Sequence, residues 1–216
     1  MKNKALFIVS AAILLLAFAA GTIAYKRGEM NRVARIAEHN RAPLVRSHSP
    51  TLGKADAPVV IVEFIDPACE TCWAFYPLVK DKMAANPGKI RLVLRFAPFH
   101  EGSDKVAAVL VAAHRQDKFW PALEALMSTQ EDWAAHHTAR VEKVWPHLAG
   151  LGLDLKKMKT DMYSPDIAGV IAQDLEDART LNVTKTPEFF VNGKGLPSFG
   201  FGQLTMLIDD ALAGRD

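Results

Sequence analysis

The chain has two cysteines, Cys69 and Cys72, and they form a Cys-x-x-Cys motif. An apolar run at 59–65 precedes the motif, and residues 73–85 after it favour a helix. A strand that turns into a helix here places the first thiol at a helix N-terminus, where unpaired N–H groups and the helix dipole favour a thiolate. Because thiolates attack disulfides, the pattern predicts thiol–disulfide exchange, with a Cys69–Cys72 disulfide as the redox group and no separate cofactor.

Other uses of a cysteine pair have weaker support. No second Cys-x-x-Cys is present, and the seven histidines show no spacing that would complete a zinc site. A structural disulfide would close a very short loop and constrain the unfolded chain little. Soft ligation of Cu(I) leaves a non-enzymatic copper- or peptide-binding role open, with His136-His137 as a weak hint. We therefore assign no metal ligands.

The N-terminal 25 residues differ in composition from the rest. Two lysines precede an apolar run at 5–24, which is long enough to cross a bilayer as a helix. An Ala-x-Ala pattern at 17–19 also fits cleavage of a signal peptide, but the apolar run continues past it. We predict a membrane anchor or signal peptide over 1–25, a basic stalk over 26–46, and a globular domain over 47–216 in the periplasm or at the extracytoplasmic face of the inner membrane.

Charge is distributed unevenly along the chain. Residues 1–46 carry a net charge of +6, whereas the remaining residues carry −4. The basic stalk is expected either to rest on anionic headgroups or to act as a soluble linker. The globular part shows no basic patch interleaved with aromatic residues, so nucleic acid is not an expected partner.

The order of elements after residue 47 predicts an α/β fold. Apolar runs bounded by turn signals predict strands at 44–45, 59–65, 90–96, 188–191 and 198–201. Helix-compatible segments lie at 73–85, 106–114, 120–127, 139–149, 155–162, 167–181 and 204–213. Since residues 100–180 show no convincing strand, a helical insertion over about 100–170 divides the sheet domain.

The dipeptide Thr186-Pro187 stands directly before the strand at 188–191. Proline is permitted at the start of a strand, and its preceding peptide bond can be trans or cis. A cis bond would leave the backbone of Thr186 free to pair with an extended peptide. Taken alone, the dipeptide more often marks an ordinary trans proline.

These features together resemble the DsbA-like thiol–disulfide oxidoreductase family. The matching segments are Gly53-Lys54-Ala55-Asp56-Ala57-Pro58-Val59, Glu63-Phe64, Cys69-Glu70-Thr71-Cys72, Phe119-Trp120, Gly152-Leu153-Asp154 and the run from Leu181 to Gly193. The resemblance spans residues 48–213. It implies a thioredoxin-like fold with an inserted α-helical domain, a cis bond before Pro187, and disulfide exchange with protein substrates that Thr186 and Pro187 hold.

Glu63 lies six residues before Cys69, inside an apolar strand. The resemblance implies that a buried acid at this position relays protons to the second cysteine. A buried carboxylate is costly, so its pKa should be raised, which suits a proton acceptor. The alternative is a solvated place at the edge of the sheet.

The two residues between the cysteines, Glu70 and Thr71, depart from the strong oxidants of the family, which carry proline or histidine there. The charge of Glu70 should disfavour the Cys69 thiolate, and a hydrogen bond from the Thr71 hydroxyl can compensate in part. A less stabilised thiolate gives a less oxidising disulfide, so we predict a moderate oxidant or a reductant.

The expected partners are protein thiol or disulfide substrates and a membrane redox partner that recycles the cysteines. Because isomerases of this superfamily carry a larger N-terminal dimerisation domain, we expect a monomer. A reductase or isomerase of the same fold, and a helper of cytochrome assembly, remain alternatives. We expect Trp73, Phe75 and Phe99 to be core residues, with an apolar surface around the cysteines as the alternative. We expect His100 to be a surface residue at a helix start, with a position near the cysteines as the alternative.

Overall fold

A five-stranded mixed sheet forms the centre of the molecule in the computed structural model, which describes residues 21–22 and 43–215. The strands of the chain are Thr51–Leu52 (β1), Val59–Ile65 (β2), Ile90–Phe96 (β3), Ala134–Ala135 (β4), Thr138–Ala139 (β5), Glu188–Val191 (β6) and Lys194–Gly195 (β7). The central sheet has the order β1-β3-β2-β6-β7, in which β2 and β3 are parallel and the other neighbours antiparallel.

Helices cover the sheet and fill the long connection between β3 and β6. They are Glu70–Ala85 (α1), Ser103–His114 (α2), Phe119–Ser128 (α3), Gln130–Trp133 (α4), Trp145–Leu148 (α5), Leu155–Asp161 (α6), Pro165–Thr180 (α7) and Phe201–Leu212 (α8). A 3-10 turn spans Val141–Lys143. The predicted α/β class, with helices inserted into a sheet domain, is therefore confirmed.

The register of the central strands determines where the site forms. Each residue of β2 pairs with one of β3, from Val59 with Ile90 to Ile65 with Phe96. On its other side, β2 pairs with β6, and Phe64 lies opposite Glu188. The C-terminal end of β2 therefore lies beside the N-terminal end of β6. This brings the segment that enters α1 close to the residues just before β6.

The inserted helices are built around an apolar α2, in which every residue from Val106 to Ala113 is buried. Between the helices predicted at 155–162 and 167–181, Ser164-Pro165 forms the start of α7. There the Ser164 hydroxyl accepts the Ile167 N–H at 3.4 Å, and Pro165 occupies the first turn, where no amide hydrogen is needed. The helix at 155–162 likewise begins with a cap, since Asp154 accepts the Lys157 N–H at 2.9 Å.

Two predicted strands are wrong. Residues 44–45 lie in a turn and an irregular segment, where Leu44 packs into a core cluster; the edge strand is instead β1, which pairs Thr51 with Val93. Residues 198–201 do not form the closing strand. Asn192 and Gly193 both have positive φ, and such a two-residue turn returns the chain at once, so pairing begins at Lys194 and α8 begins at Phe201.

The inserted segment also differs from its prediction at 134–149. The short strands β4 and β5 form a hairpin in a region expected to hold no strand, and the helix expected at 139–149 is absent. A 3-10 turn and the four-residue α5 replace it. Proline favours the first turn of a helix, and α5 accordingly begins one residue before Pro146.

Within the described residues, no helix is long and apolar enough to span a bilayer. Of the predicted anchor at 1–25, only Gly21 and Thr22 are described, and of the predicted stalk at 26–46, only residues 43–46. The expectations for those two segments therefore lie largely outside the described residues.

Candidate active site

Cys69 stands at the cap position of α1, with an extended backbone (φ −90°, ψ 112°). Its carbonyl accepts the Cys72 N–H at 3.1 Å, so the motif forms the first turn of the helix. Both cysteines are free thiols. Cys69 is 7% exposed and Cys72 only 1%. Cys69 is therefore the less deeply buried of the two cysteines.

The two thiols have opposite acidities. Hydrogen bonds from the Cys72 thiol, the Thr186 side chain and the N–H groups of Cys72 and Thr71 outweigh burial and lower the pKa of Cys69 to about 5. Burial first, and then the neighbouring Cys69, raises the pKa of Cys72 well above the ordinary thiol value. One cysteine is thus set up as a thiolate and the other as a protonated thiol.

The peptide bond between Thr186 and Pro187 is cis, as the resemblance implied. It lies directly before β6, at the end of the sheet where α1 begins. The Cys69 thiol donates to the Thr186 carbonyl at 3.4 Å. The structure therefore brings the predicted redox pair and the predicted peptide-binding residues together.

Glu63 is buried in the middle of the sheet, paired with Leu94 on one side and Phe189 on the other. Its Oε2 has no hydrogen-bond partner among the described residues. Burial first, and then the charge of Cys69, raises the pKa of Glu63 to about 8, and Glu63 in turn raises the pKa of Cys72. The solvated alternative for Glu63 is therefore wrong, and the carboxyl can hold or accept a proton near neutral pH.

Glu70 and Thr71 occupy the first turn of α1, between the two cysteines. The Glu70 side chain is exposed, and its Oε2 lies 3.6 Å from Nδ1 of His137. Thr71 is also exposed, and its backbone N–H, not its hydroxyl, contributes to the acidity of Cys69. The expected effect of the Glu70 charge, relative to the strong oxidants, stays a prediction.

Asp66 organises the loop between β2 and the motif, and the sequence analysis missed it. This fully buried carboxylate accepts the N–H groups of Ala68, Phe99 and His100 at 2.7–2.8 Å. Its carbonyl accepts the Cys69 N–H at 3.0 Å. An acid between a buried strand and a Cys-x-x-Cys motif was the available signal, because a carboxylate there must find backbone donors.

His100 and His137 form a stacked pair next to this loop. Nδ1 of His100 lies 2.6 Å from Asp66, and the two imidazole rings have centroids 4.9 Å apart and planes 18° apart. Because Asp66 holds the cysteine loop, His100 lies close to the redox motif. A position near the cysteines was the alternative to the surface position predicted for His100. His137 comes from the turn between β4 and β5, a contact that local sequence patterns do not predict.

The aromatic residues around the motif divide between core and surface. Phe75 is buried, and its ring stacks on that of Phe201 with centroids 4.0 Å apart. Trp73 is half-buried and stacks on Tyr76. Phe99 is 46% exposed and Phe199 43%, so the preference for a core position is wrong for Phe99. Exposed aromatic surface therefore lies near both Asp66 and Phe75.

The described residues contain no group of three or more histidine, cysteine, aspartate or glutamate side chains arranged to hold a metal ion.

Comparison with known proteins agrees with this geometry. A family described as Thioredoxin matches residues 46–210. A thioredoxin-like oxidoreductase from Silicibacter pomeroyi has a TM-score of 0.67 and 31% identity, covering 78% of this chain and 94% of that one. Oxidised BdbD from Bacillus subtilis has a TM-score of 0.68 at 24% identity, with coverage of 77% and 94%, and supports the fold. The predicted thioredoxin-like fold is confirmed.

Two kinds of curated protein are similar in sequence to this chain. A probable disulfide bond formation protein D of Bacillus cereus is 32% identical over 180 residues, which cover 77% of this chain and 80% of that protein. An Na(+)/H(+) antiporter NhaA of Herminiimonas arsenicoxydans is 31% identical over 144 residues, which cover 67% of this chain but only 22% of the antiporter. The chain belongs to the DsbA-like thiol–disulfide oxidoreductase family, and it is a thiol–disulfide oxidoreductase.

Proposed function

We propose that the protein exchanges disulfides with other proteins outside the cytoplasm, through Cys69 and Cys72, and that it acts mainly as a moderate oxidant of substrate thiols. The observation that carries this proposal is the asymmetry of the two cysteines. Cys69 has a pKa of about 5 at the surface of the site, and Cys72 is a buried thiol with a raised pKa. That arrangement suits a protein that is attacked at one sulfur and releases the other.

The first step of oxidation breaks the Cys69–Cys72 disulfide. A substrate thiolate attacks Sγ of Cys69, a substrate–Cys69 bond forms, and Cys72 leaves as a thiolate. The buried Cys72 thiolate then takes a proton, because its pKa is high. Glu63 can supply this proton, since its own pKa of about 8 keeps the carboxyl protonated at neutral pH.

The second step releases the substrate. A second substrate thiolate attacks the substrate sulfur of the mixed disulfide, a substrate disulfide forms, and Cys69 leaves as a thiolate. The substrate loses two electrons and the protein gains them. Because Cys69 is acidic, it is a good leaving group in this step. In the reducing direction Cys69 attacks a substrate disulfide and Cys72 resolves the mixed disulfide, with Glu63 as the proton acceptor.

The substrate chain is expected to bind as an extended segment beside Thr186. The Thr186 carbonyl already accepts the Cys69 thiol at 3.4 Å, so a backbone paired at Thr186 would have its own cysteine within reach of Cys69. The exposed rings of Phe99 and Phe199 offer apolar surface for neighbouring side chains of an unfolded substrate.

The acidity of Cys69 supports the oxidising direction. A stabilised thiolate favours the reduced form and therefore makes the disulfide more oxidising. The pKa of about 5 for Cys69 lies between values of about 7 for thioredoxin and about 3.5 for the most oxidising member of this class. We therefore expect a reduction potential between about −270 and −120 mV.

Two measurements test this function. The reduction potential is measured by equilibration with glutathione buffers, and oxidation of a reduced, unfolded protein is followed by its recovery of activity. The wild type should catalyse refolding, and both Cys69→Ser and Cys72→Ala should abolish oxidation of the reduced substrate. Given a substrate that already contains a disulfide, Cys72→Ala should accumulate a mixed disulfide, because its Cys69 thiolate attacks and no second cysteine resolves the product. A wild type that reduces insulin with dithiothreitol but does not oxidise the unfolded protein would establish the reductase alternative.

The cellular setting follows from the same proposal. The apolar run at 5–24 supports export with a membrane anchor, or secretion after cleavage, and the chemistry belongs to an oxidising compartment. A membrane redox partner would then reoxidise the cysteines of a monomeric protein. Trapping partners in cells with Cys72→Ala, and identifying them by mass spectrometry, tests both the clients and the recycling partner.

A further inference from the structure

The hairpin formed by β4 and β5 has an unusual turn. Its two central residues, His136 and His137, have φ values of 53° and 60°. Turns with two successive left-handed residues usually contain asparagine or glycine, because other side chains hold this backbone at a cost. The hairpin is fixed in place, since the Ala139 N–H donates to the Glu101 carbonyl at 2.8 Å and Thr138 bridges to Glu101.

This fixed turn holds His137 between two groups of the redox loop. The Glu70 carboxylate of α1 lies 3.6 Å from Nδ1 of His137, and the His100 ring stacks on the His137 ring. Behind His100 lies the buried Asp66, which fixes the cysteine loop. The titratable groups facing His137 are thus Glu70 from α1 and His100, with Asp66 behind it. His136, beside it in the turn, has no such contact in the part of the chain described.

The position of Glu70 makes this contact relevant to the chemistry. Glu70 is the residue directly after Cys69, and a free carboxylate there opposes the negative charge of the Cys69 thiolate. An imidazole carries charge only when it is protonated, and in that form it offsets part of the charge of a carboxylate 3.6 Å away. Glu70, where the strong oxidants carry a different residue, therefore lies beside the imidazole of His137, which comes from a distant part of the chain.

We propose that His137 is a positioning residue for the redox pair, which holds the Glu70 carboxylate and offsets its effect on the Cys69 thiolate. This inference rests on the proposed function, because it concerns the same sulfur. The inserted helical domain, which contains His137, would then help to set the pKa of the Cys69 thiol as well as contribute to the fold.

The test is the titration of the Cys69 thiolate by its ultraviolet absorbance in reduced protein. His137→Asn removes the imidazole, and asparagine tolerates the left-handed backbone. We expect the pKa of Cys69 to rise by about half a unit, a roughly threefold change in the thiolate-to-thiol ratio, since both side chains are largely exposed. The matched control is His136→Asn, which alters the same turn and should leave the titration unchanged. Equal shifts in the two variants would overturn the proposal.

The Glu70→Gln background shows whether the effect passes through the carboxylate. There His137→Asn should no longer change the titration of Cys69, whereas a merely structural role for His137 would give the same shift in both backgrounds. If His137→Asn does not fold, His137→Lys replaces it. A wild-type or lower pKa of Cys69 in the lysine variant supports the proposal, and a raised pKa contradicts it.

The titration needs no client protein. An inactive wild type with an acidic, His137-dependent Cys69 would therefore count against the proposed function alone. If the wild type is active but His137→Asn does not change the pKa of Cys69, this inference alone is wrong.

Discussion

Glu63 and Arg95 are both buried ionisable residues on neighbouring central strands, but their surroundings differ completely. Arg95 on β3 donates to Asp174 at 2.7 and 2.9 Å, to Asp177 at 2.6 Å and to the Pro43 carbonyl. Glu63 on β2 has a carboxylate oxygen with no partner among the described residues. Both side chains are at most 1% exposed.

This difference indicates that Arg95 stabilises the fold, whereas Glu63 is suited to transferring a proton. The Arg95 cluster continues outward, where Arg46 binds Asp177 and His48 lies 2.7 Å from Asp174, so it ties residues 43–48 to α7. Complete pairing fixes its charges and holds it in one state. Glu63 lacks such partners among the described residues. It keeps its proton because ionising a buried carboxyl is unfavourable, and it can donate that proton to a neighbouring thiolate of higher pKa.

The largest expected effect comes from breaking the paired cluster. Arg95→Met leaves Asp174 and Asp177 buried without their shared partner and should destabilise the fold by about 3–5 kcal/mol. Urea unfolding measures this loss, and the pKa of Cys69 in the remaining folded protein should not change. The control is Arg91→Met on the same strand, because Arg91 has no ion pair within residues 43–215. Equal losses in the two variants would contradict the structural importance of the cluster.

A smaller, pH-dependent effect is expected at Glu63. The unfolded chain loses this proton at about pH 4.5 and the folded protein at about pH 8, so between these values the folded state holds the extra proton and stability falls as the pH rises. From pH 5 to 7 this term amounts to about 2–3 kcal/mol, and Glu63→Gln removes it.

The measurement compares urea unfolding of oxidised wild type and oxidised Glu63→Gln, because the oxidised state has no Cys69 thiolate. Their stability difference should grow in favour of the variant as the pH rises above about 4.5, and it should level off below about pH 8, because the Cys69 charge that adds to the raised pKa of Glu63 is absent from the disulfide. Glu131→Gln, at an exposed position, serves as the control. A difference that is constant with pH would mean that folding does not raise the pKa of Glu63.

The smallest effect is expected at the outer edge of the paired cluster. Arg46 is partly exposed, so Arg46→Met should cost about 1 kcal/mol or less at pH 7. Burial favours the neutral form of Asp177, but hydrogen bonds from Arg46 and Arg95 outweigh it and lower the pKa of Asp177. The stability from this pairing is present at neutral pH and lost as the pH falls below about 4, so acid titration of unfolding should show a smaller loss in the variant.

The elements that carry the site were predictable because their signals are local. The continuous apolar runs of β2 and β3, the motif at Cys69 and the proline before β6 each stand in a few consecutive residues. The hairpin at 134–139 was not predictable, since its three alanines, two histidines and one threonine give no strand or turn signal. The contacts of Asp66, His100 and His137 were also hidden, because they join residues far apart in sequence.

Both edges of the central sheet are formed by strands of only two residues, β1 and β7. The edges of the sheet therefore expose few unpaired backbone N–H and C=O groups, so a long extended chain cannot pair with them as an additional strand. The polypeptides with which we propose that this protein exchanges disulfides would therefore meet no long sheet edge to extend.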